Sequence, residues 1–323
     1  MTQRELAKLA HVSFSTVSKA FGNSGDISEE TRNHIFTIAK QYGCFGEFYK
    51  GSYPKKVIAI ICPEIASGYY AAFVEGFQRL IEKNNCISII SSDHFDRQKA
   101  DELIEYYASY RKADGMIVFG LKNPLKKGYT APIVSVFPET EAPVDTVTVH
   151  FESAVLEAVK LLTDYGHTEI AFLGEKRTTG KAALYQKAMK AIGNDRACVI
   201  ESPLRFEEAG EDGVRRLLAD GRRCTALLCA YDNIAFGAIR ELKKSGLRVP
   251  EHMSVIGIDN LNTGKYTETS LTTMDARTDE VCMAAWNMLQ EKMKNPYRHC
   301  PNVLLHAKLI VRESVACVGC MPD

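Results

Sequence analysis

The chain has 323 residues, more than one small hydrophobic core usually organises, so we expect two or three compact units. Hydrophobic residues make up 46% and charged residues 25%, as in an ordinary soluble globular protein. No apolar run approaches the roughly 18 residues of a membrane helix, and the first residues lack the apolar core of a signal peptide. We therefore expect a cytoplasmic protein that has no membrane contact.

The overall charge of zero hides a local imbalance. Residues 1–56 contain eight Lys and Arg against five Asp and Glu, a net charge of +3, which leaves the rest of the chain at −3. A small basic head on a slightly acidic body suits a nucleic-acid-binding module.

The ten cysteines are mostly single residues inside apolar runs, which indicates buried, reduced thiols. The close pair Cys317 and Cys320 has no second pair to complete a zinc site, so it is weak evidence for metal or redox chemistry. The eight histidines show no metal-ligand spacing either. We expect neither a metal nor a cofactor.

Three short amphipathic helices are predicted near the N-terminus. The first covers residues 2–10, the second begins after the N-cap Ser13, and the third begins after Ser28 and ends at Gly43. Only two residues separate the first two helices. A helix, a tight turn and a second helix form a helix-turn-helix unit, whose second helix enters the major groove of DNA.

The apolar positions of these helices predict the core of the head, and the opposite face of the second helix predicts its reading surface. The expected core residues are Leu6, Leu9, Ala10, Val17, Ala20, Phe21, Ile35, Ile38, Ala39 and Tyr42. The opposite face carries Phe14, Ser15, Ser18 and Lys19. Lys19 can reach a guanine edge or a phosphate, and Phe14 can contact a thymine methyl group. A solvated helix face is the alternative, but it would not favour an exposed phenylalanine.

Residues 6–35, LAKLAHVSFSTVSKAFGNSGDISEETRNHI, closely resemble the DNA-binding head of the lactose/galactose repressor (LacI/GalR) family. The residues on matching positions are Val12, Ser13, Thr16, Val17, Ser18, Asn23, Ser28, Thr31 and Arg32. The resemblance implies that Phe14, Ser15 and Lys19 read bases, and the further DNA-binding residues it implies are Ser13, Thr16, Ser18, Asn23 and Thr31. Lys19 stands where the family usually has arginine, so a guanine preference is less secure. His11 replaces the turn glycine, and histidine tolerates a positive φ angle better than most residues.

The segment after the head departs from the family pattern. The resemblance implies a hinge helix with a proline, an Ala-Arg pair and a leucine that inserts into the minor groove, but residues 43–61 supply none of these at the expected places. Gly46 and Gly51 oppose a stable helix. Phe48 or Tyr49 could insert between base pairs instead. The alternative is a flexible tether, which would deliver the heads to DNA without kinking the operator.

From residue 57 onward, apolar runs alternate with amphipathic helical patterns. The runs lie at residues 57–61, 87–91, 116–120 and 133–137, followed by a second series at 170–174, 226–230 and 255–259. Continuous apolar strands separated by helices indicate parallel sheets covered on both faces. The expected fold class is therefore α/β, with two doubly wound subdomains, a ligand cleft between them and an all-α head.

Further segments match landmarks of the same family in order. They are ADGMIV (113–118), YGHTEIAFLG (165–174), SVIGIDN (254–260), SLTTM (270–274) and LIVRES (309–314). The resemblance implies a periplasmic-binding-protein-like body whose chain crosses between subdomains near residues 148, 277 and 302. The expected domains are a head at 1–45, a linker at 46–56, an N-terminal effector subdomain at 57–148 plus 278–302, and a C-terminal one at 149–277 plus 303–323.

The same resemblance places effector-binding residues in the cleft. Tyr69 and Tyr70 match paired aromatics that stack on a ligand ring, and Asp259 matches a carboxylate that accepts paired hydrogen bonds from ligand hydroxyls. Asp232 matches an effector residue but could equally be the N-cap of a helix. Lys181 stands where the family has an effector-binding arginine, and a solvated helix residue is the alternative.

Two departures affect the expected ligand. Tyr231, a further effector-binding residue, stands where many members have asparagine, and His150 stands where the pattern has aspartate. Hydroxyl-rich ligands need planar, paired hydrogen-bond partners, so such a cleft need not bind a common hexose. A sugar or sugar derivative is the first expectation, and a nucleobase or another small metabolite is the alternative.

The sequence thus predicts a homodimeric repressor that binds double-stranded operator DNA and is controlled by a small molecule in its cleft. It contains no phosphate-binding glycine loop, dinucleotide fingerprint or nucleophile elbow, so we expect no enzyme. The alternative is a sugar- or solute-binding sensor without DNA function, against which the head argues. A sugar-modifying enzyme would need a catalytic dyad in the cleft.

Overall fold

The computed structural model describes residues 1–22, 25–49, 54–110, 113–121, 123, 131–139, 144–221, 223–296, 298 and 301–319. The DNA-binding candidate Asn23, the linker residue Gly51 and the terminal Cys320 lie outside the described residues. The chain divides into two compact units, Met1–Lys56 and Val57–Asp323.

The first unit is an all-helical head. Its helices are α1 (Gln3–Leu9), α2 (Phe14–Phe21), α3 (Glu29–Gln41) and the short α4 (Phe45–Phe48). Both predicted N-caps are confirmed: Ser13 Oγ accepts the Thr16 N–H and Ser28 Oγ accepts the Thr31 N–H, each at 3.1 Å. His11 adopts a φ of 53° in the turn between α1 and α2, so the turn persists without its glycine.

The centre of the head core is as predicted. Leu6, Val17 and Ile35 are fully buried. The prediction is wrong at Leu9 and Tyr42, which are 38% and 51% exposed. Both residues lie at the last turn of their helix, and the space beside the core is filled instead by aromatic side chains that follow α3.

The segment from α4 to Tyr49 packs onto the head. The Phe21 ring centroid lies 5.1 Å from Phe36, 6.0 Å from Phe45 and 5.6 Å from Phe48. The Tyr49 ring stacks on Phe45 at 4.8 Å. Offset and edge-to-face contacts of this kind contribute beyond area burial alone. Much of the segment predicted as linker therefore belongs to the head.

The second unit contains two six-stranded sheets in its described residues. The strands are β1 (Val57–Cys62), β2 (Ile87–Ser92), β3 (Gly115–Phe119), β4 (Ile133–Val136), β5 (Asp145–His150), β6 (Ile170–Glu175), β7 (Cys198–Ser202), β8 (Ala226–Cys229), β9 (Ser254–Ile258), β10 (Thr272–Asp275), β11 (Asn302–His306) and β12 (Lys308–Ile310). The strand orders are β11-β5-β4-β3-β1-β2 and β12-β10-β9-β8-β6-β7. The strands pair in parallel except β12, which runs antiparallel to β10. The predicted α/β class with two sheets is confirmed.

Helices cover the sheets as expected for doubly wound folds. They are α5 (Gly68–Lys83), α6 (Arg97–Glu105), α7 (Glu152–Asp164), α8 (Thr179–Ala191), α9 (Phe206–Ala219), α10 (Asp232–Lys244) and α11 (Thr278–Lys294). Helix α11 packs on α5 and on strands β3, β4 and β5, so it returns the chain to the first sheet. Among the described helices, none has both the length and the apolar character that a membrane crossing requires.

In the part of the chain that the structure describes, three connections pass between the two sheets. The first passage follows β5, the second lies between β10 and α11, and the third lies between β11 and β12. The third was expected near residue 302, but Asn302–His306 pairs in parallel with β5, with Val303 opposite Val147. Residues 303–306 therefore belong to the first sheet, because a fifth parallel pairing extends it before the chain leaves.

Candidate DNA-reading head and effector cleft

The N-terminal turn of α2 forms a compact hydroxyl surface. Ser13 Oγ lies 2.7 Å from Ser15 Oγ and 2.8 Å from Thr16 Oγ1. Phe14 lies in the same turn and is 50% exposed, whereas the apolar residues on the opposite face of α2 are buried in the head core. An exposed aromatic ring among small hydroxyls can approach base edges and phosphates closely.

Charged groups flank the same surface. Lys19 Nζ lies 3.4 Å from the Asp26 carboxylate, and both side chains are largely exposed, so DNA phosphates can compete for the ammonium group. The Arg4 guanidinium lies 5.8 Å from the centre of the Phe14 ring. Sequence analysis missed Arg4, although its place in the first turn of a basic head was a usable signal.

Of the remaining head candidates, Thr31 and Ser18 lie on α3 and α2, whereas Phe48 and Tyr49 pack against other rings of the head. Thr31 lies at the N-terminus of α3, where its Oγ1 is 2.8 Å from Ser28 Oγ, and backbone N–H groups at such an end favour phosphate. Ser18 is exposed on α2. Phe48 and Tyr49, proposed to insert between base pairs, instead pack in the aromatic cluster of the head. Insertion would require either ring to leave that cluster.

A cavity of about 700 Å³ lies between the two α/β subdomains. Seven aromatic side chains of the described residues line it: Tyr69, Tyr70, Phe95, Phe137, Phe151, Phe206 and Tyr231. Several of the charged residues follow the carboxyl end of a strand, as Glu64 follows β1 and Asp259 follows β9. This is where ligands bind in open α/β sheets.

Asp259 presents a buried acceptor to the cavity. Its Oδ1 lies 3.6 Å from Lys181 Nζ, and no described residue donates a hydrogen bond to it. Burial raises the pKa of the Asp259 carboxyl, and the nearby Lys181 ammonium opposes that rise. Asp259 and Asn260 both have positive φ angles, 123° and 53°, so the backbone is strained where it aims this carboxylate.

Lys181 is not a solvated helix residue. Its Nζ donates to the Ala230 carbonyl oxygen at 2.8 Å and lies 4.4 Å from the centre of the Tyr231 ring. Burial lowers the pKa of Lys181, and Asp259 opposes that change. The cavity therefore brings Lys181, Tyr231 and Asp259 together, and Tyr69 and Tyr70 line its other wall.

Asp232 has neither of its predicted roles. It is fully buried and does not line the cavity, and the N-cap of α10 is Tyr231. Its carboxylate accepts the Leu261 N–H at 2.7 Å and the Thr273 hydroxyl at 2.5 Å. Burial raises its pKa to about 6 despite these bonds. Asp232 holds the loop that presents Asp259, and it is a positioning residue.

Gly257 explains why this buried carboxylate fits. A Cβ at residue 257 would lie 2.2 Å from Asp232 Oδ1, so only glycine leaves room for it. His150, another departure from the family pattern, is exposed and is not among the cavity-lining residues. Its ring lies 6.0 Å from that of His306 on the neighbouring strand.

Two contacts that sequence analysis missed connect the subdomains across the cavity. Arg205, before α9, donates to both carboxylate oxygens of Glu64 at 3.1 and 3.0 Å, and its Nε lies 3.6 Å from Glu175. Arg177 lies with its guanidinium carbon 3.9 Å from the centre of the Phe95 ring. All of these cavity residues come shortly after strand ends, and that position was the signal available in the sequence.

The described residues contain no cluster of three or more His, Cys, Asp or Glu side chains that could hold a metal ion. An exposed recognition helix on a small helical head, together with a ligand cavity between two α/β subdomains, defines a ligand-responsive DNA-binding regulator.

Comparison with known proteins agrees with this class. Residues 2–43 match the model for bacterial regulatory proteins of the lacI family, and residues 159–315 match a periplasmic binding protein-like domain. The repressor PurR of Klebsiella pneumoniae (strain 342) is 28% identical over 340 residues, covering 98% of this chain and 97% of PurR. The repressor CytR of Escherichia coli (strain K12) is 26% identical over 329 residues, covering 97% and 96%.

Solved structures share the fold. A LacI-family regulator from Silicibacter pomeroyi superposes with a TM-score of 0.81 at 18% identity, covering 98% of this chain and 99% of that one. The lac repressor dimer bound to operator and the anti-inducer ONPF gives 0.74 at 19%, with the same coverage. The chain thus combines a lacI-family DNA-binding domain with a periplasmic binding protein-like domain, as its relatives PurR and CytR are repressors, and it is a transcription regulator rather than an enzyme.

Proposed function

We propose that this protein is a cytoplasmic, homodimeric repressor that binds pseudo-palindromic operator DNA through α2 and changes its operator affinity when a small molecule occupies the cleft. The observation that carries the DNA-binding part is the exposed surface of Phe14, Ser15 and Lys19 on an otherwise well-packed head. Two such heads in a dimer would read two half-sites about one or more helical turns apart. The operator-bound lac repressor, which is a dimer, supports this assembly.

Within the head, the proposed reading residues divide by role. Phe14, Ser15 and Lys19 contact base edges in the major groove, where sequence is read. The phosphate-contacting and positioning residues are Ser13, Thr16, Ser18 and Thr31, with Arg4 added from the structure. Most of them lie at the N-terminal ends of α2 and α3, where unpaired backbone N–H groups favour phosphate.

Within the body, a sugar or sugar derivative is the proposed effector. Tyr69, Tyr70 and Tyr231 supply aromatic faces, and Asp259 supplies an acceptor oxygen that no described residue satisfies. Regulators of the same fold have been solved with ribose and with cellobiose bound, which supports this class of ligand. The seven aromatic rings of the cavity also suit a nucleobase-like planar ring, which is the second candidate.

The two subdomains provide the route from ligand to DNA. We assign residues 57–150 and 278–306 to the first subdomain, and residues 151–277 and 307–319 to the second. A ligand that contacts Tyr69 in one and Asp259 in the other favours one relative orientation of the two. Its differential affinity for the two orientations sets how far operator affinity can change.

The experiment is selection of DNA from a random duplex library by the full-length protein, at low and at moderate salt. Enrichment of a two-fold symmetric motif is expected, with half-sites that change when Lys19 is replaced. No enrichment at either salt concentration, with the purified protein folded and dimeric, would contradict the DNA-binding proposal. Repeating the selection with candidate sugars then tests whether cleft occupancy shifts the affinity.

A further inference from the structure

Among the described residues, two of the cations that line the cavity have a close carboxylate partner, and two at its mouth have a distant partner or none. In the interior, Lys181 faces Asp259 and Arg205 is bonded to Glu64, so each cation has a carboxylate. Two more guanidinium groups line the cavity, those of Arg97 and Arg177.

Arg177 carries the clearest unmatched charge. It lies in the 3-10 turn Lys176–Thr178 that follows β6, and no carboxylate of the described residues forms an ion pair with it. Its guanidinium carbon lies 3.9 Å from the ring centre of Phe95, a residue of the opposite subdomain. A cation–π contact of this kind does not use up the N–H donors of the guanidinium, which can bind a carboxylate or phosphate in pairs.

Arg97 supplies a second guanidinium that lines the same cavity. It is two residues from Phe95, so their Cα atoms are at most about 7 Å apart, and it begins α6 in the first subdomain. Its carboxylate neighbour is Glu139, at 3.9 Å, and both side chains are more than half exposed. A contact this long and this exposed binds Arg97 weakly. The mouth therefore holds two guanidinium groups, from opposite subdomains, against one loosely placed carboxylate.

We propose that the effector carries an anionic group, a phosphate or a carboxylate, that binds Arg177 and Arg97 while its hydroxyl-bearing part meets Asp259. This inference rests on the proposed function of the cleft. An anion between the two arginines would neutralise charges that belong to opposite subdomains, so it would favour the closed cleft. The uncharged parent compound would meet the same interior but lack this closing interaction.

The test uses matched ligands on the full-length protein, measured by isothermal titration calorimetry at low salt. The neutral compounds are D-glucose, D-ribose and uridine, the phosphate forms are their monophosphates, and D-glucuronate serves as the carboxylate form of glucose. For the scaffold that fits, a charged form should bind at least about tenfold more tightly than its parent, the scale of a charge-assisted hydrogen bond. The glucuronate and phosphate arms separate a carboxylate from a phosphate ligand.

Arg177→Gln should abolish most of this difference, because it should weaken binding of the charged form much more than binding of the neutral parent, which does not use the charge. Arg240→Gln is the matched control, because Arg240 is an exposed arginine of α10 that pairs with Glu211 and does not line the cavity. Equal affinity of charged and neutral forms for the unmodified protein overturns the inference. So does an Arg177→Gln variant that weakens both forms by the same factor.

If none of these compounds binds, inorganic phosphate decides the question through the NMR signal of the Arg177 guanidinium. A signal that stays in place up to tens of millimolar phosphate overturns the inference, and a saturable shift that Arg97→Gln weakens supports it. Failure of the proposed function has a different signature. In that case ligands bind the cleft with the expected charge preference, but operator affinity does not respond to any of them.

Discussion

The reading surface of the head and the cavity of the body both depend on charged side chains, but the surroundings of those charges differ. On the head, Lys19 and Asp26 are both exposed to solvent and 3.4 Å apart. In the body, Lys181 and Asp259 are a similar distance apart, yet the Asp259 side chain is only 3% exposed. A lysine–aspartate pair is therefore hydrated on the head and desolvated in the body.

This difference determines what each region can do. Exposed charges are screened by salt and easily exchange one partner for another, as a protein that moves along DNA phosphates requires. Buried charges have shifted pKa values and a fixed geometry, so they respond to one ligand and resist substitution. Substitutions in the body should consequently have larger effects than comparable substitutions on the head.

The largest expected effect comes from Gly237→Ala, which acts on the packing of the body alone. A Cβ at residue 237 would lie 1.9 Å from the Glu207 carbonyl oxygen, where α10 crosses α9. Backbone cannot yield as a side chain can, so we expect the free energy of unfolding of the body to fall by about 3 kcal/mol or more. Urea denaturation followed by circular dichroism measures this change.

Gly180→Ala is the matched control, because a Cβ at residue 180 in α8 meets nothing within 4 Å. It should leave stability unchanged or raise it by up to about 1 kcal/mol, since alanine is the better helix former. If Gly237→Ala and Gly180→Ala behave alike, the close crossing of α9 and α10 is not what limits the stability of the body.

The next effect concerns the effector response. Asp259→Asn keeps the shape of the side chain but loses its charge and one acceptor oxygen, so effector affinity should fall about 100-fold, in the range for a buried charge-assisted contact. Operator affinity without effector should not change. Fluorescence anisotropy of labelled operator, with and without effector, measures both, and Asp164→Asn on the exposed end of α7 is the control. A normal response would remove Asp259 from the site.

The raised pKa of Asp259 predicts that, as the pH falls, effector affinity decreases while the free energy of unfolding increases. Burial raises that pKa from 3.8 to about 7, so below pH 7 the carboxyl becomes protonated and effector affinity should fall by about tenfold per pH unit. Between these two values the folded protein binds more protons than the unfolded chain, so stability from this group should rise as the pH falls. Asp259→Asn should remove the affinity trend and retain the part of the stability trend that Asp232 causes.

A smaller effect is expected on the head. Lys19→Ala should weaken operator binding about tenfold, relax the preference at one base pair, and reduce the slope of affinity against salt by about one. Asp26→Asn is the matched variant, because it breaks the same ion pair but keeps the lysine. Its operator affinity should be unchanged or slightly higher. If both variants lose affinity equally, the ion pair itself supports the head and Lys19 does not read DNA.

The parts of the fold that the sequence predicted are those whose signals are local. The helices of the head follow from caps and apolar spacing, and seven strands follow from continuous apolar runs. Strands β5, β7, β10, β11 and β12 were missed because they are short or contain polar residues, so no long apolar run marks them. In β10, Thr272 and Thr273 are fully buried, and Thr272 bonds to Ser314, far along the chain. Such a long-range contact leaves no local pattern.

The candidate site also contains residues that were predicted and contacts that were not. The resemblance placed Tyr69, Tyr70, Lys181, Tyr231 and Asp259, which all line the cavity. It also placed Asp232 in the cavity, but Asp232 is fully buried and does not line it. The Glu64–Arg205 contact was missed because its partners are 141 residues apart, and no spacing rule connects them.

The smallest effect addresses the segment where sequence and structure differ most. Phe48 packs on Phe21 in the head, so Phe48→Ala should lower the free energy of unfolding of the head by about 1–2 kcal/mol through lost burial and ring contact. The bases selected at the centre of the operator should stay the same. Thermal unfolding of the full-length protein, read from the head signals by NMR, and repeated DNA selection measure these two quantities.

The insertion hypothesis predicts a different selection result. If Phe48 leaves the cluster to insert into the minor groove when DNA binds, its removal should abolish selection for a flexible central step, since that step is selected only when it is kinked. Glu47→Ala is the control, because Glu47 is its exposed neighbour on α4 and has no ring in the cluster. The Phe21–Phe48 contact supports the first outcome, in which residues 45–49 stabilise the head and the bending of DNA falls to other residues or does not occur.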